Sequence, residues 1–353
     1  MTIFITGICG FVGNAIARRI REAMPDEEIF GLDNLSRAGS ERNRRLGAAR
    51  VRVVYGDIRA ASDLEGLPPA QWVIDAAALP SVLAGIDTCS SSRQLVEHNL
   101  FGTVNILEYC RRHDAGLILL STSRVYGIRP LSELPLHTDG RRFVPLFSKV
   151  ECEGLTSGGV SEEFSTAAPI SLYGATKLAS EALALEYGET FGIPVWINRC
   201  GVLAGAGQFG TADQGIFSFW LHAWRARRTL RYIGFGGKGL QVRDALHPED
   251  LADLVLRQIE NPEPKLSRIC NVSGGVDQSM SLLELSDWCT QRFGPHDVAS
   301  DPQERRFDIP WLVLDSARAR GIWDWRPRRS LSSILDEIAD HADENPDWLR
   351  VTG

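Results

Sequence analysis

The chain has 353 residues, 44% hydrophobic and 24% charged, with a formal net charge of -7 and no long run of one sign. That is the composition of a soluble globular protein with room for one large α/β domain and a smaller lobe. It offers no basic face for nucleic acid: the densest basic spot, Arg42, Arg44 and Arg45, is offset by Glu41. Seven scattered cysteines without C-x-x-C or other metal-ligand spacing point to reduced thiols and no metal site. No apolar run approaches ~18 residues, so no membrane span is expected. Strand-like residues at the very start leave no room for a signal peptide, and a cytoplasmic location is expected.

Ile3–Thr6 reads as a buried strand, broken by glycines before Phe11–Arg21 takes up helical spacing. Ile29–Leu32 is the next strand and ends at Asp33. Val51–Tyr55 ends at Gly56-Asp57, and Trp72–Ile74 at Asp75 and the small residues Ala76 to Ala78. Asn99–Arg112 reads as a helix and Leu117–Leu120 as a strand running into Ser121-Thr122-Ser123. Leu172–Phe191 is a long helix and Val195–Ile197 a further strand. This alternation predicts an α/β fold of Rossmann type, a doubly wound parallel sheet with its ligands beyond the carboxyl ends of the strands. After Arg199 the pattern turns irregular and rich in Gly, Trp and Phe, as expected of a smaller C-terminal substrate lobe. The expected division is a cofactor domain over 1–199, with about 244–273 returning to it, and a lobe from 200–243 and 274–353. The stretch 128–170 holds many turn formers, among them Pro130, Pro135, Gly140, Pro145, Gly158 and Gly159. Both its ends join active-site segments, so it is expected to cover the substrate; a solvated excursion is the alternative.

Gly7-x-x-Gly10-x-x-Gly13 follows a strand and opens a helix through Phe11 and Val12. Glycine allows the tight turn and lets backbone N–H groups approach a pyrophosphate at the positive helix end. Asp33 ends the second strand about twenty residues on, where a carboxylate accepts bonds from ribose hydroxyls and repels a 2′-phosphate. NAD is therefore the expected cofactor, although Arg37 nearby could neutralise such a phosphate. Asp57 and Ile58 are placed to meet the adenine. Asn34, Ser36, Arg37, Ala76, Ala77, Ala78, Pro80, Asn99, Tyr173 and Lys177 complete the expected cofactor contacts.

Tyr173-Gly-Ala-Thr-Lys177 puts tyrosine and lysine at i and i+4, on one face of a helix. A phenol of pKa near ~10 is a poor base at neutral pH, but an adjacent ammonium and the nicotinamide's charge favour its phenolate. The phenolate can take a proton from a substrate hydroxyl while hydride leaves the same carbon. Thr122, at a strand end, is the expected third catalytic residue, holding the substrate oxygen near Tyr173.

Thr6-Gly7-x-x-Gly10-Phe11-x-Gly13, Ser121-Thr122-Ser123-Arg124-Val125-Tyr126-Gly127 and Tyr173-x-x-x-Lys177 together resemble the extended short-chain dehydrogenase/reductase superfamily. More narrowly, three segments resemble its CDP-paratose (CDP-tyvelose) 2-epimerases: Asp33 to Arg37, Asp213-Gln214-Gly215, and Gly236 to Asp244. The resemblance runs over nearly the whole chain. It implies a tightly held NAD, a nucleoside-diphosphate hexose, inversion through a keto-sugar and a homo-oligomer, dimer or tetramer. It also implies that Arg243 meets the diphosphate and that Tyr232 to Phe235 border the base. The other expected substrate contacts are Ser81, Ser123, Arg124, Gln214 and Arg305.

The chain departs from that pattern where Asp75 stands in place of a common histidine, at Arg199-Cys200-Gly201-Val202, which lacks the polar residues expected there, and at Pro310, in place of a second arginine. Dehydratases of the superfamily typically carry Asp-Glu directly after the threonine, and decarboxylases a glutamate. Ser123 and Arg124 stand there instead, so elimination lacks a proton carrier and epimerisation is expected, favoured at C2 of a CDP-hexose. The alternatives are another carbon, a heptose or octose, a dehydrogenase or reductase, and a non-catalytic NAD-sensing protein.

Overall fold

The computed structural model describes residues 1–352 apart from 50, 87–90, 151, 212–213 and 263–266, so Asp213 of the resembling motif lies outside the described residues. Seven parallel strands form the central sheet: β1 (Thr2–Thr6), β2 (Glu28–Asp33), β3 (Val51–Tyr55), β4 (Trp72–Asp75), β5 (Gly116–Thr122), β6 (Val195–Cys200) and β7 (Ile269–Val272). Their spatial order is β7-β6-β5-β4-β1-β2-β3. Ile3, Phe4, Ile5, Val73, Ile74 and Leu117 to Leu119 are fully buried, the continuous apolar runs of strands covered on both faces. The chain moves outward from β1 to β3, then returns to place β4 on the other side of β1. Thr6 pairs in register with Asp75, so the crevice at this reversal opens beside both.

Helix α1 (Phe11–Ala23) buries Gly13, Ile16, Ala17 and Ile20, one stripe at helical spacing, against one face of the sheet. Helix α2 (Gly102–His113) and helix α3 (Ser171–Phe191) cover the opposite face. The helix expected from Asn99 starts with a π turn over Glu97–Phe101, which places Asn99 inward. Later segments divide. Helix α5 (Pro248–Glu260) and β7 join the central sheet layer, α5 lying against α1. The strand Val242–Leu246 belongs to a separate four-stranded sheet. Helix α4 (Ile216–Arg225), helix α6 (Leu282–Phe293) and helix α7 (Leu331–Glu344) bury Trp220, Trp224, Leu285 and Ile338 in a second core.

No described residue of 128–170 lines the cavity reported below, so the expected cover over the substrate is not what this stretch forms. Its apolar residues Leu131, Leu134, Val160 and Phe164 are buried against Ile309 and Trp311 to Leu314 instead. The Val160 N–H donates to the Val313 carbonyl at 2.8 Å, and Arg142 grips both oxygens of Glu284 at 2.6 to 3.1 Å. Among the described residues no helix is long and apolar enough to cross a membrane, and no cluster of metal-ligating side chains is present.

Candidate active site

A cavity of about 870 Å³ runs along the carboxyl ends of the strands and on beneath the second core. Its floor is the glycine turn. Gly7 has φ +61°, and a Cβ there would sit 3.0 Å from the Ala77 backbone. A Cβ on Gly13 would lie 2.3 Å from the Gly7 carbonyl oxygen, so α1 could not approach the strand so closely. Gly10, Phe11, Val12, Ala76, Ala77, Ala78 and Pro80 also line this end, with Asn34 and Ser36 beyond.

Asp33 accepts the Cys9 N–H on Oδ2 and the Leu35 N–H on Oδ1, both at 2.8 Å. Burial pushes its carboxyl above the usual range, while those backbone bonds oppose the rise. A glycine floor, a wall of alanines and a carboxylate at the end of β2 fit a dinucleotide: the floor for its pyrophosphate, Asp33 for a ribose. Arg37 lines the same end, but its guanidinium reaches across to Gln214 and to the Phe209 carbonyl.

Three expected cofactor contacts stand back from the wall. Ile58 lines the cavity, but the Asp57 carboxylate is taken by Arg59 at 2.7 Å and by Asn34 Nδ2 at 3.0 Å. The Arg59 bond above all holds its pKa well below the usual range. Asn99 is buried and clamps the Leu79 backbone, accepting its N–H at 2.8 Å and donating to its carbonyl at 3.1 Å. It therefore positions the wall without touching the cavity. Lys177 is only 2% exposed and is not among the lining residues.

Tyr173 and Thr122 both line the cavity, and Thr122 Oγ1 accepts the Arg124 N–H at 3.2 Å. Burial pushes the Tyr173 phenol up to about 12, with Thr122 and the Arg124 charge pulling it down. The Lys177 ammonium, expected to act on the phenol, answers to the charges of Asp75 and Glu181. Burial lowers the Lys177 pKa, and those carboxylates resist the fall.

A buried network fixes this floor. Asp75 accepts the Thr6 hydroxyl at 2.7 Å, and Thr6 Oγ1 accepts the Ala76 and Ala77 N–H groups at 3.1 Å. Glu181 takes Arg199 on both oxygens at 2.7 to 3.1 Å, and the Ser121 hydroxyl as well. Both ions are almost wholly buried, so removing either would leave the other uncompensated.

On the opposite wall stand Ser123, Arg124, Gln214, Arg243 and Arg305. Arg243 Nη2 donates to Asp308 Oδ1 at 3.1 Å. Burial, reinforced by Arg243, brings the Arg124 guanidinium down to about 10. Two expected substrate contacts are misplaced. Ser81 turns its hydroxyl to the Leu83 N–H at 3.1 Å, a local turn off the wall. Tyr232 stacks on Trp220 at 5.7 Å between ring centres, inside the second core, while its neighbours Arg231 and Ile233 line the cavity.

The sequence reading also missed Asp308, Phe209 and Cys200, all on the wall. Asp308 lies three residues beyond Arg305, at an offset that signals nothing without the fold. The departure at Arg199 to Val202 did mark the place of Cys200.

Sheet and cavity define an α/β enzyme built around a dinucleotide. The chain belongs to the NAD dependent epimerase/dehydratase family, whose model matches residues 3–273, and is an NAD-dependent enzyme. It is 28% identical to the CDP-paratose 2-epimerase of Salmonella typhi, over 96% of this chain and 98% of that protein. It is also 28% identical to the dTDP-glucose 4,6-dehydratase of Streptomyces antibioticus, over 99% and 94%. The fold matches the UDP-glucuronic acid 4-epimerase of Bacillus cereus in complex with UDP-glucuronic acid and NAD, with TM-score 0.77 at 21% identity over 98% of this chain and 99% of that one.

Proposed function

We propose that the protein is an NAD-dependent epimerase of a nucleoside-diphosphate sugar, acting at C2 of a CDP-hexose. Relatives at equal identity include both an epimerase and a dehydratase, so the reading rests on the residues at the reacting end. The observation that carries it is the supply of carboxylates. Among the described residues the cavity wall has only Asp33 and Asp308, the first bonded to backbone amides and the second to Arg243. Ser123 and Arg124 follow Thr122, so elimination of water has no acid and base beside the sugar.

Bound NAD supplies reversible hydride acceptance. Tyr173 takes the hydroxyl proton from the carbon to be inverted, and Thr122 holds that oxygen. Residues 1–199 with 244–273 bind the cofactor; 200–243 with 274–353 hold the nucleotide sugar. Arg124, Arg243 and Arg305 set positive charge against its two phosphates. The exposed apolar side chains of Phe101 and Leu172, on neighbouring helices, support a homo-oligomer.

Hydrogen tracing tests the reaction once a screen of CDP-, GDP- and UDP-sugars has found the substrate. Substrate deuterated at the inverted carbon should give product still deuterated there, without added NAD. In deuterated water, ordinary substrate should gain no label at that carbon. Solvent label there, or a product lighter by one water, overturns the reading.

A further inference from the structure

Arg37 stands on the cofactor wall, yet its side chain is held by the opposite one. Nη1 donates to Gln214 Oε1 at 3.2 Å, and Nη2 donates to the Phe209 carbonyl. All three residues line the cavity, so the bridge joins its two walls at the cofactor end. Both ends of the bridge are anchored. The Gln208 carbonyl accepts Trp348 Nε1 at 2.8 Å and the Ser218 hydroxyl at 3.2 Å. The Phe209 ring stacks on Trp348 at 5.8 Å, and the Arg42 guanidinium lies 5.5 Å from a Trp348 ring centre. Two residues beyond Arg37, Gly39 has φ +88°, and a Cβ there would sit 3.3 Å from the Phe209 ring. The loop after β2 and the segment carrying Phe209 are thus pressed together on either side of the arginine.

A guanidinium is a planar fork whose donors point in fixed directions. With two of them aimed at Gln214 and Phe209, Arg37 faces the far wall rather than the place a ribose 2′-phosphate would occupy beside Asp33. We infer that Arg37 is a cofactor-retaining residue. Its bridge to Gln214 and Phe209 keeps the walls closed over NAD from one turnover to the next. This rests on the epimerase reading, because an epimerase restores its oxidised cofactor in every cycle and never needs to release it. Choice between NAD and NADP is left to Asp33.

The test follows release of NAD from protein loaded with it, diluted into an enzymatic trap for the free nucleotide. Arg37→Ala should release NAD at least about tenfold faster than wild type, and Gln214→Ala at least about threefold faster, keeping the Phe209 bond. The double variant should be no faster than Arg37→Ala alone, since both changes break one bridge. Gln214 lies outside the helices and the central sheet, so its truncation spares the fold. Wild-type release from Gln214→Ala with fast release from Arg37→Ala would overturn the bridge and make Arg37 a direct nucleotide ligand. Equal release from all the proteins would overturn retention by Arg37 and leave the epimerase reading standing. A wild type that exchanges NAD within each turnover would overturn both.

Discussion

The two walls of the cavity are made of different materials. The cofactor wall is built on a glycine and alanine backbone, with one carboxylate tied down by two amide N–H groups and with Arg37 turned away to the other side. The other wall, proposed for the substrate, sets Arg124, Arg243 and Arg305 near Asp308 among apolar side chains such as Phe217 and Leu282. The first tolerates almost no change, because even a methyl group on Gly13 would overlap a carbonyl oxygen. The second can be rebuilt one side chain at a time. On the proposed reading, the common chemistry belongs to the first wall and selectivity to the second.

The largest effect should come where the walls meet. Tyr173→Phe removes the base and keeps the ring, so kcat should fall ~10²–10⁴-fold while NAD stays bound. Near-normal turnover would place the base on another group. Arg243→Ala strikes the substrate wall alone. KM should rise about 10- to 100-fold, the worth of a charge-assisted bond, with NAD retention unchanged. Parallel loss of NAD would show that the walls are not independent. The smallest effect belongs to Tyr232→Phe, which keeps the ring stacked on Trp220 and removes only its hydroxyl. Stability should change by no more than about 1 kcal/mol in a denaturant titration, with KM unmoved. A raised KM would return Tyr232 to the substrate wall.

The cofactor wall was legible from sequence because its requirements are local. Short continuous apolar runs and helical spacing mark the strands and α1, and a positive φ at Gly7 calls for glycine. Asp33 falls at a strand end, and Tyr173 and Lys177 share a helix face whatever lies around them. Tyr232 shows why the substrate wall was not. Alternation along Leu230–Ile233 says that neighbours face opposite ways, but which face meets the cavity depends on pairing with Val298–Asp301, far along the chain. Asp57 and Asn99 stand back from the cavity for another reason. Each lies at the right strand or helix end, but Arg59 and the Leu79 backbone claim its polar atoms. The stretch 128–170 carried no sign of the strand at Trp311–Leu312 that it packs against.

The seventh strand has a consequence for how the molecule is made. Ile269–Val272 pairs with Val195–Cys200, yet the whole of α4 and the strand Val242–Leu246 come between them in the chain. A ribosome delivering residues in order exposes the edge of β6 long before its partner emerges. During that interval the buried face of α1 also lacks α5, which packs against it in the finished molecule. The early sheet is therefore open on one edge while the second core assembles, a period of exposure to mispairing that long-range parallel topology imposes.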